Sequence, residues 1–291
     1  MINRPSNIQV AELCPIQFTE PKEYGFYGMQ QEYVGKIVSG GFHLQVLISS
    51  QVYASSDALT LRIISKSGTV AKTYTFTKHQ LSVGHYYAVV KVDALSALRD
   101  ELVYFELRWG ADGIQASSIW YLINPTYTAD LKRIKYSHSD NTWGTVFFSG
   151  AASYDFWLDV EAGFIPRDNR DEQETEDFLE QNLMNETAYG EAYEVMPLTV
   201  GDSMGIPGWL RLKISRASLC DDFQVDGVGY KRVSGAKMEK VEDCENGLAT
   251  YKLDLQPTNN YLQAASVGVS YPILHDMFNS KIIINDCKII A

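Results

Sequence analysis

The chain has 291 residues with a formal net charge of −11, and it is 45% hydrophobic and 21% charged, with 18 Tyr. That apolar content can bury a core, which excludes wholesale disorder. No basic surplus is present to grip a nucleic-acid backbone or an anionic lipid surface.

Residues 1 to about 40 read as an irregular arm broken by Pro5, Pro15 and Pro21. Phe42, Leu44, Val46 and Ile48 then alternate with polar neighbours, the period of a half-buried strand. Leu59 to Ile63, Thr73 to Thr77, His85 to Val92 and Val103 to Trp109 follow the same rule, with Lys66-Ser-Gly68 as a turn. Ser96 to Arg99 fits one helical turn, and Ala111-Asp-Gly113 closes a hairpin into Ala116 to Ile123. Such short strands predict an antiparallel β-sandwich over residues 1–128. Asn124-Pro125-Thr126 then marks a junction, because proline removes a ladder donor.

Residues 129–291 read as a second β-rich domain with one or two short helices, so the fold class is mainly β, of the α+β kind. Leu131 to Tyr136 and Phe156 to Val160 are strands. The stretch from Asp168 to Glu180 carries Asp168, Asp171, Glu172, Glu174, Glu176, Asp177 and Glu180. It reads as a solvated acidic loop and a helix near 172–185, with Phe178, Leu179 and Leu183 as a thin apolar stripe. An EF-hand is excluded because Gln173 stands where that loop needs glycine.

Tyr193, Val195, Leu198 and Val200 form the next strand, and Gly201 and Gly205 serve tight turns. A helix over 207–219 opens on Pro207, whose missing N–H costs nothing in a first turn. Its buried stripe is Trp209, Leu210, Ile214 and Ala217, and Arg211, Lys213 and Arg216 face water. Asp226-Gly227 and Asn246-Gly247 are two-residue hairpin signals. The terminus carries Ile282, Ile283, Ile284, Ile289 and Ile290 around a turn at Asn285-Asp286. Unpaired, it is an aggregation-prone edge and a candidate subunit interface; the plainer reading is a final strand tucked into its own sheet.

Chemistry-bearing patterns are sparse. Cys14, Cys220, Cys244 and Cys287 lack CxxC spacing and are expected as free thiols, with Cys220 and Cys244 the one pair worth testing for a bridge. His43, His79, His85, His138 and His275 show no metal-ligand spacing, and no nucleophile elbow or phosphate loop appears. Asp155, Asp159 and Glu161 could supply a glycosidase pair, as in any acidic protein, and Trp109, Trp120, Trp143 and Trp157 a sugar-binding face. No export signal and no run of ~18 apolar residues is seen, so cytoplasmic manufacture without a membrane span is expected.

The second half resembles a group of uncharacterised virion-associated proteins of Bacteroidetes phages and prophages, including crAss-like phages. The likeness rests on Ile134 to Asn141, Asp159 to Gly163, Tyr189 to Val195, Leu198 to Gly201, Gly205 to Trp209, Cys220-Asp221, Val225 to Gly227 and Gly235 to Glu239, in that order. The resemblance implies a structural component of the tail or neck, assembled in the host cytoplasm as a homo-oligomeric ring beside other virion structural proteins. It carries no catalytic residues and no cofactor. The acidic run would then line a channel that lets DNA pass without sequence-specific binding. The rival readings are a carbohydrate-binding or adhesin-type sandwich, which needs exposed coplanar aromatics, and a hydrolase built around converging carboxylates or His138.

Overall fold

A computed structural model describes residues 7–19, 33–38, 41–93, 95–110, 113–126, 130–139, 148, 154, 156–179, 185–201, 204–244, 247–258, 274–276, 281–284 and 287–289. The protein is mainly β with two α-helices. The strands of the first half are β1 (Ile8–Val10), β2 (Phe18–Thr19), β3 (Gly35–Ile37), β4 (Phe42–Ile48), β5 (Leu59–Ser65), β6 (Val70–Thr75), β7 (Thr77–Ser82), β8 (His85–Val92), β9 (Glu101–Trp109), β10 (Gly113–Ser118) and β11 (Tyr121–Ile123). Helix α1 (Ser50–Ala54) follows β4, capped by Ser49, and a 3-10 turn spans Leu95–Leu98.

Two sheets share this half. One has the order β1-β4-β8-β7, and in the other β9 pairs with β5 on one side and with β10 and β11 in succession on the other. The alternation read from the sequence sets the inward face. Phe42, Leu44 and Val46 of one sheet and Leu59, Leu61, Ile63, Val103 and Phe105 of the other are fully buried in one cluster. Between β10 and β11 the ladder breaks, and the buried Ser118 hydroxyl covers the gap by accepting from Phe105 N–H and donating to Ile119 O.

The second half holds β12 (Leu131–Ser137), β13 (Phe156–Phe164), β14 (Arg170–Leu179), β15 (Asn185–Val200), α2 (Gly208–Ala217), β16 (Asp222–Val225), β17 (Val228–Arg232), β18 (Glu239–Asp243) and β19 (Ala249–Pro257). Strand β13 changes partner along its length, pairing with β12 over Phe156 to Glu161 and with β15 over Ala162 to Phe164. That exchange closes an antiparallel circuit, β12-β13-β15-β19-β17-β16, returning to β12. Closure leaves none of these six strands with a bare edge within the circuit. Val195, Leu198, Val200, Leu253, Leu255, Phe223 and Ile134 are buried along it, and Leu210, Ile214 and Ala217 of α2 are buried too.

Sheet and core both continue past residue 128, where the sequence suggested a boundary. Strand β3 runs parallel to β11 and also bridges to β13 at Lys36 opposite Asp159. One hydrophobic cluster extends from Ile8 to Leu255.

The acidic run corrects the reading of a helix near 172–185. Arg170 to Leu179 form β14, paired antiparallel with β15 from Arg170 opposite Val195 to Leu179 opposite Asn185. In a helix, Glu172 and Glu176 would stack as like charges one turn apart, whereas the hairpin satisfies the backbone with a partner strand bearing Tyr189 and Tyr193. Among the described residues β14 pairs only with β15, so the two strands form an arm roughly 33 Å long.

The isoleucine-rich end forms a separate sheet of β20 (Leu274–Asp276), β21 (Lys281–Ile284) and β22 (Cys287–Ile289). Ile282 stands opposite Ile289, and Ile283 lies between Leu274 and Lys288. The described part of this segment therefore pairs within itself; Ile290 lies outside the described residues.

Candidate functional site

Ionisable groups concentrate where β3 splices the first-half sheet to the circuit. Asp159 of β13 is buried, and its Oδ1 accepts from Arg133 Nε at 2.9 Å. Its Oδ2 accepts from Arg133 Nη2 at 3.2 Å and from Val38 N–H at 2.6 Å. Arg133 also donates to Val38 O at 3.1 Å, and its guanidinium lies 3.7 Å above the Trp157 ring. Trp157 in turn donates to Gly41 O. Burial raises the Asp159 pKa above the ordinary carboxylate value, opposed by Arg133 and the Val38 amide. Glu161 pairs with Lys36 of β3. Of the three candidate glycosidase carboxylates, Asp159 and Glu161 are thus engaged by cations, and Asp155 lies outside the described residues.

The adjoining cavity, lined in part by Ile37, Tyr121, Trp157, Asp159 and Trp209, measures ≈ 20 Å³, room for about one water. The arrangement fastens β3 to β13.

Lys213 of α2 corrects the expectation of a wet side chain. It is 5% exposed and donates to Cys14 O at 2.6 Å and Gln17 Oε1 at 3.3 Å. Burial pushes its pKa down to about 8, against a smaller raising effect of Cys14. A depressed buried lysine is a recognised mark of covalent or proton-transfer sites. Here its two bonds anchor the segment 11–19, which is also held by Tyr136 Oη donating to Leu13 O at 2.5 Å and Gln17 N–H donating to Tyr121 Oη at 2.8 Å. The signal was present in the sequence, since Leu210, Lys213, Ile214 and Ala217 share one helical stripe.

His138 Nε2 lies 3.5 Å from Asp221 Oδ1, while Ser139 donates to the other carboxylate oxygen from both its N–H and its hydroxyl. The Ser139 hydroxyl and amide hold the Asp221 carboxyl below its usual value. A nucleophilic relay needs the serine proton directed at the imidazole, and this one goes to the carboxylate. Asp140 lies outside the described residues.

Cys220 and Cys244 are free thiols, as is Cys14, so the one bridge suggested by sequence is not formed. Burial pushes the Cys220 thiol up to about 12, which suppresses the reactive thiolate. Among the described residues no group of three or more His, Cys, Asp or Glu could hold a metal ion, and no helix is long and apolar enough to cross a membrane. Trp157 is buried beneath Arg133, and Trp120 packs edge-on against Tyr104. Trp143 lies outside the described residues.

The acidic residues divide between root and arm. Asp168 sits in a 3-10 turn and pairs with Lys252 at 3.0 Å. Arg170 bonds Glu172 at 2.7 Å and Asp254 at 2.6 Å, and Asn169 donates to Glu194 at 2.8 Å. Asp171, Glu172, Glu174, Glu176 and Asp177 occupy β14, and Glu180 lies outside the described residues. In register, Asp171 opposes Glu194 and Glu174 opposes Glu191. No family model, curated protein or solved structure matches this chain.

Proposed function

We propose that this chain is a structural component of a phage virion, in the tail or neck region, which works by assembling into a homo-oligomeric ring and touching neighbouring virion proteins. The observation that carries the reading is the β14–β15 arm, a two-stranded ribbon whose outer strand has no second neighbour among the described residues. An isolated hairpin is marginally stable in water, so a long one is best accounted for by a surface that receives it. The likeness of Tyr189 to Val195, Gly205 to Trp209 and Val225 to Gly227 to phage virion proteins points the same way. The ion pairs of Asp159 and Glu161 and the water-sized cavity support a part that makes contacts over one that transforms a molecule.

Electron microscopy of the purified full chain, with its mass measured in solution, tests this. A closed ring of fixed rotational symmetry is expected. A stable monomer at every concentration, or one that binds glycans, would overturn it.

A further inference from the structure

The face of β6-β5-β9 opposite the core holds two arginines that the splice does not use. Arg62 of β5 stands directly across from Glu106 of β9, and Arg108 across from Thr60. Glu106 is buried and accepts from Arg108 Nη1 at 3.0 Å, along its own strand. The Arg62 side chain makes no hydrogen bond or ion pair among the described residues, where the Nε atoms of both arginines are shielded from water without an acceptor. Each such orphan donor has given up its bonds to water with no protein acceptor in exchange. Two guanidiniums against one carboxylate leave a surplus positive charge. It is flanked by Thr73 in register on β6 and by Tyr104 packed on Trp120.

The arm has the opposite imbalance. Strand β14 carries Asp171, Glu172, Glu174, Glu176 and Asp177, and in register Asp171 stands opposite Glu194 and Glu174 opposite Glu191, positions at which the sequence sets acid against acid. The basic groups at its root are engaged, Arg170 with Asp254 and Lys252 with Asp168. Arm and arginine face lie at opposite ends of the strand order, with β14 at one end and β6 branching through β5 from β9 near the other.

We propose that the Arg62–Arg108 face receives the acidic β14–β15 arm of a second copy of this chain. The contact joins two different surfaces, so it is head-to-tail, the type that closes into a ring when the rotation allows. The inference rests on the ring reading and names its interface. The acidic run then serves contact between copies instead of lining a channel.

Solution mass of the full chain, followed against concentration and salt, provides the test, with circular dichroism confirming the fold of each variant. The Arg62 side chain makes no bond among the described residues, so Arg62→Gln, which sets no second carboxylate against Glu106, should fold as the wild type does. It should need at least about tenfold more protein to assemble, and added salt should weaken wild-type assembly. Glu174→Lys with Glu191→Lys should weaken association likewise, and adding Arg62→Gln should weaken it little further. If the wild type assembles and Arg62→Gln assembles equally well, the interface is wrong and the ring reading stands. Undiminished association of the Glu174→Lys, Glu191→Lys variant removes the arm as the occupant. A wild type that stays monomeric removes both.

Discussion

Strand β15 belongs to two structures with different demands. Its last residues, Met196 to Val200, lie in the closed circuit with β19 on one side and, from Leu198 onward, β13 on the other. Leu198 and Val200 are fully buried there. Among the described residues its earlier part pairs with β14 alone. In the circuit every strand finds both neighbours within the chain, so burial and hydrogen bonding are settled internally. In the arm β14 has one paired edge among the described residues, and on the ring reading its other edge meets a second copy. Substitutions in the circuit should therefore reduce stability, and changes in the arm should alter assembly while leaving stability nearly intact.

The largest expected effect comes from separating Arg133 and Asp159 inside the circuit. Asp159→Ala removes the buried carboxylate that accepts from Arg133 and from the Val38 amide, and chemical denaturation should show a loss of about 4 kcal/mol. A loss below about 1 kcal/mol would show that the splice does not hold the two halves together.

Gly205 should come next. Its φ of +73° suits glycine, and an added Cβ would lie 2.7 Å from Ala249 N. Gly205→Ala should cost about 3 kcal/mol, because the strained turn and the crowding against the β19 backbone add. Gly163, with nothing within 4 Å of an added Cβ, supplies the control.

Lys213 gives the comparison a pH axis. Its folded pKa of about 8 lies below the ordinary 10.5, so between these values the unfolded chain binds a proton that the folded chain has released. Stability from this group therefore rises with pH across that window, by roughly 3 kcal/mol in all, and the burial penalty is fully present below it. Thermal melts across the window should show the rise in the wild type and a flatter profile in Lys213→Met. Parallel profiles would place the ammonium in a wetter setting than described.

The smallest stability effect belongs to the arm. Replacing residues 173–192 with a tight turn should leave the unfolding free energy within about 0.5 kcal/mol of the wild type while abolishing association. A large loss of stability would mean that the arm belongs to the core.

Legibility in the sequence followed the range of the interactions. Phe42, Leu44 and Val46 announced their face through period-2 alternation, and the structure buries all three. Asp226-Gly227 announced a hairpin, and both residues take positive φ between paired Val225 and Val228. The turn roles of Gly201 and Gly205 and the helix after Pro207 were likewise local properties. Assigning Lys213 to water failed because reading charge as exposure overlooked that the buried stripe includes position 213 and that the Cys14 carbonyl waits nearly 200 positions away. The acidic run was misread because composition alone does not reveal a partner strand.

Residue order by itself determined the alternating strands such as Phe42–Ile48, the turn at Asp226-Gly227 and the helix after Pro207, since steric preference and side-chain period act over a few neighbours. Tertiary structure decided that β13 changes partners to close a six-stranded circuit, that β3 bridges the halves through Arg133 and Asp159, and that β14 pairs with β15. Those choices are made between strands far apart in the chain. They follow from competition among many backbone edges for hydrogen bonds and among apolar faces for burial, which no local window contains.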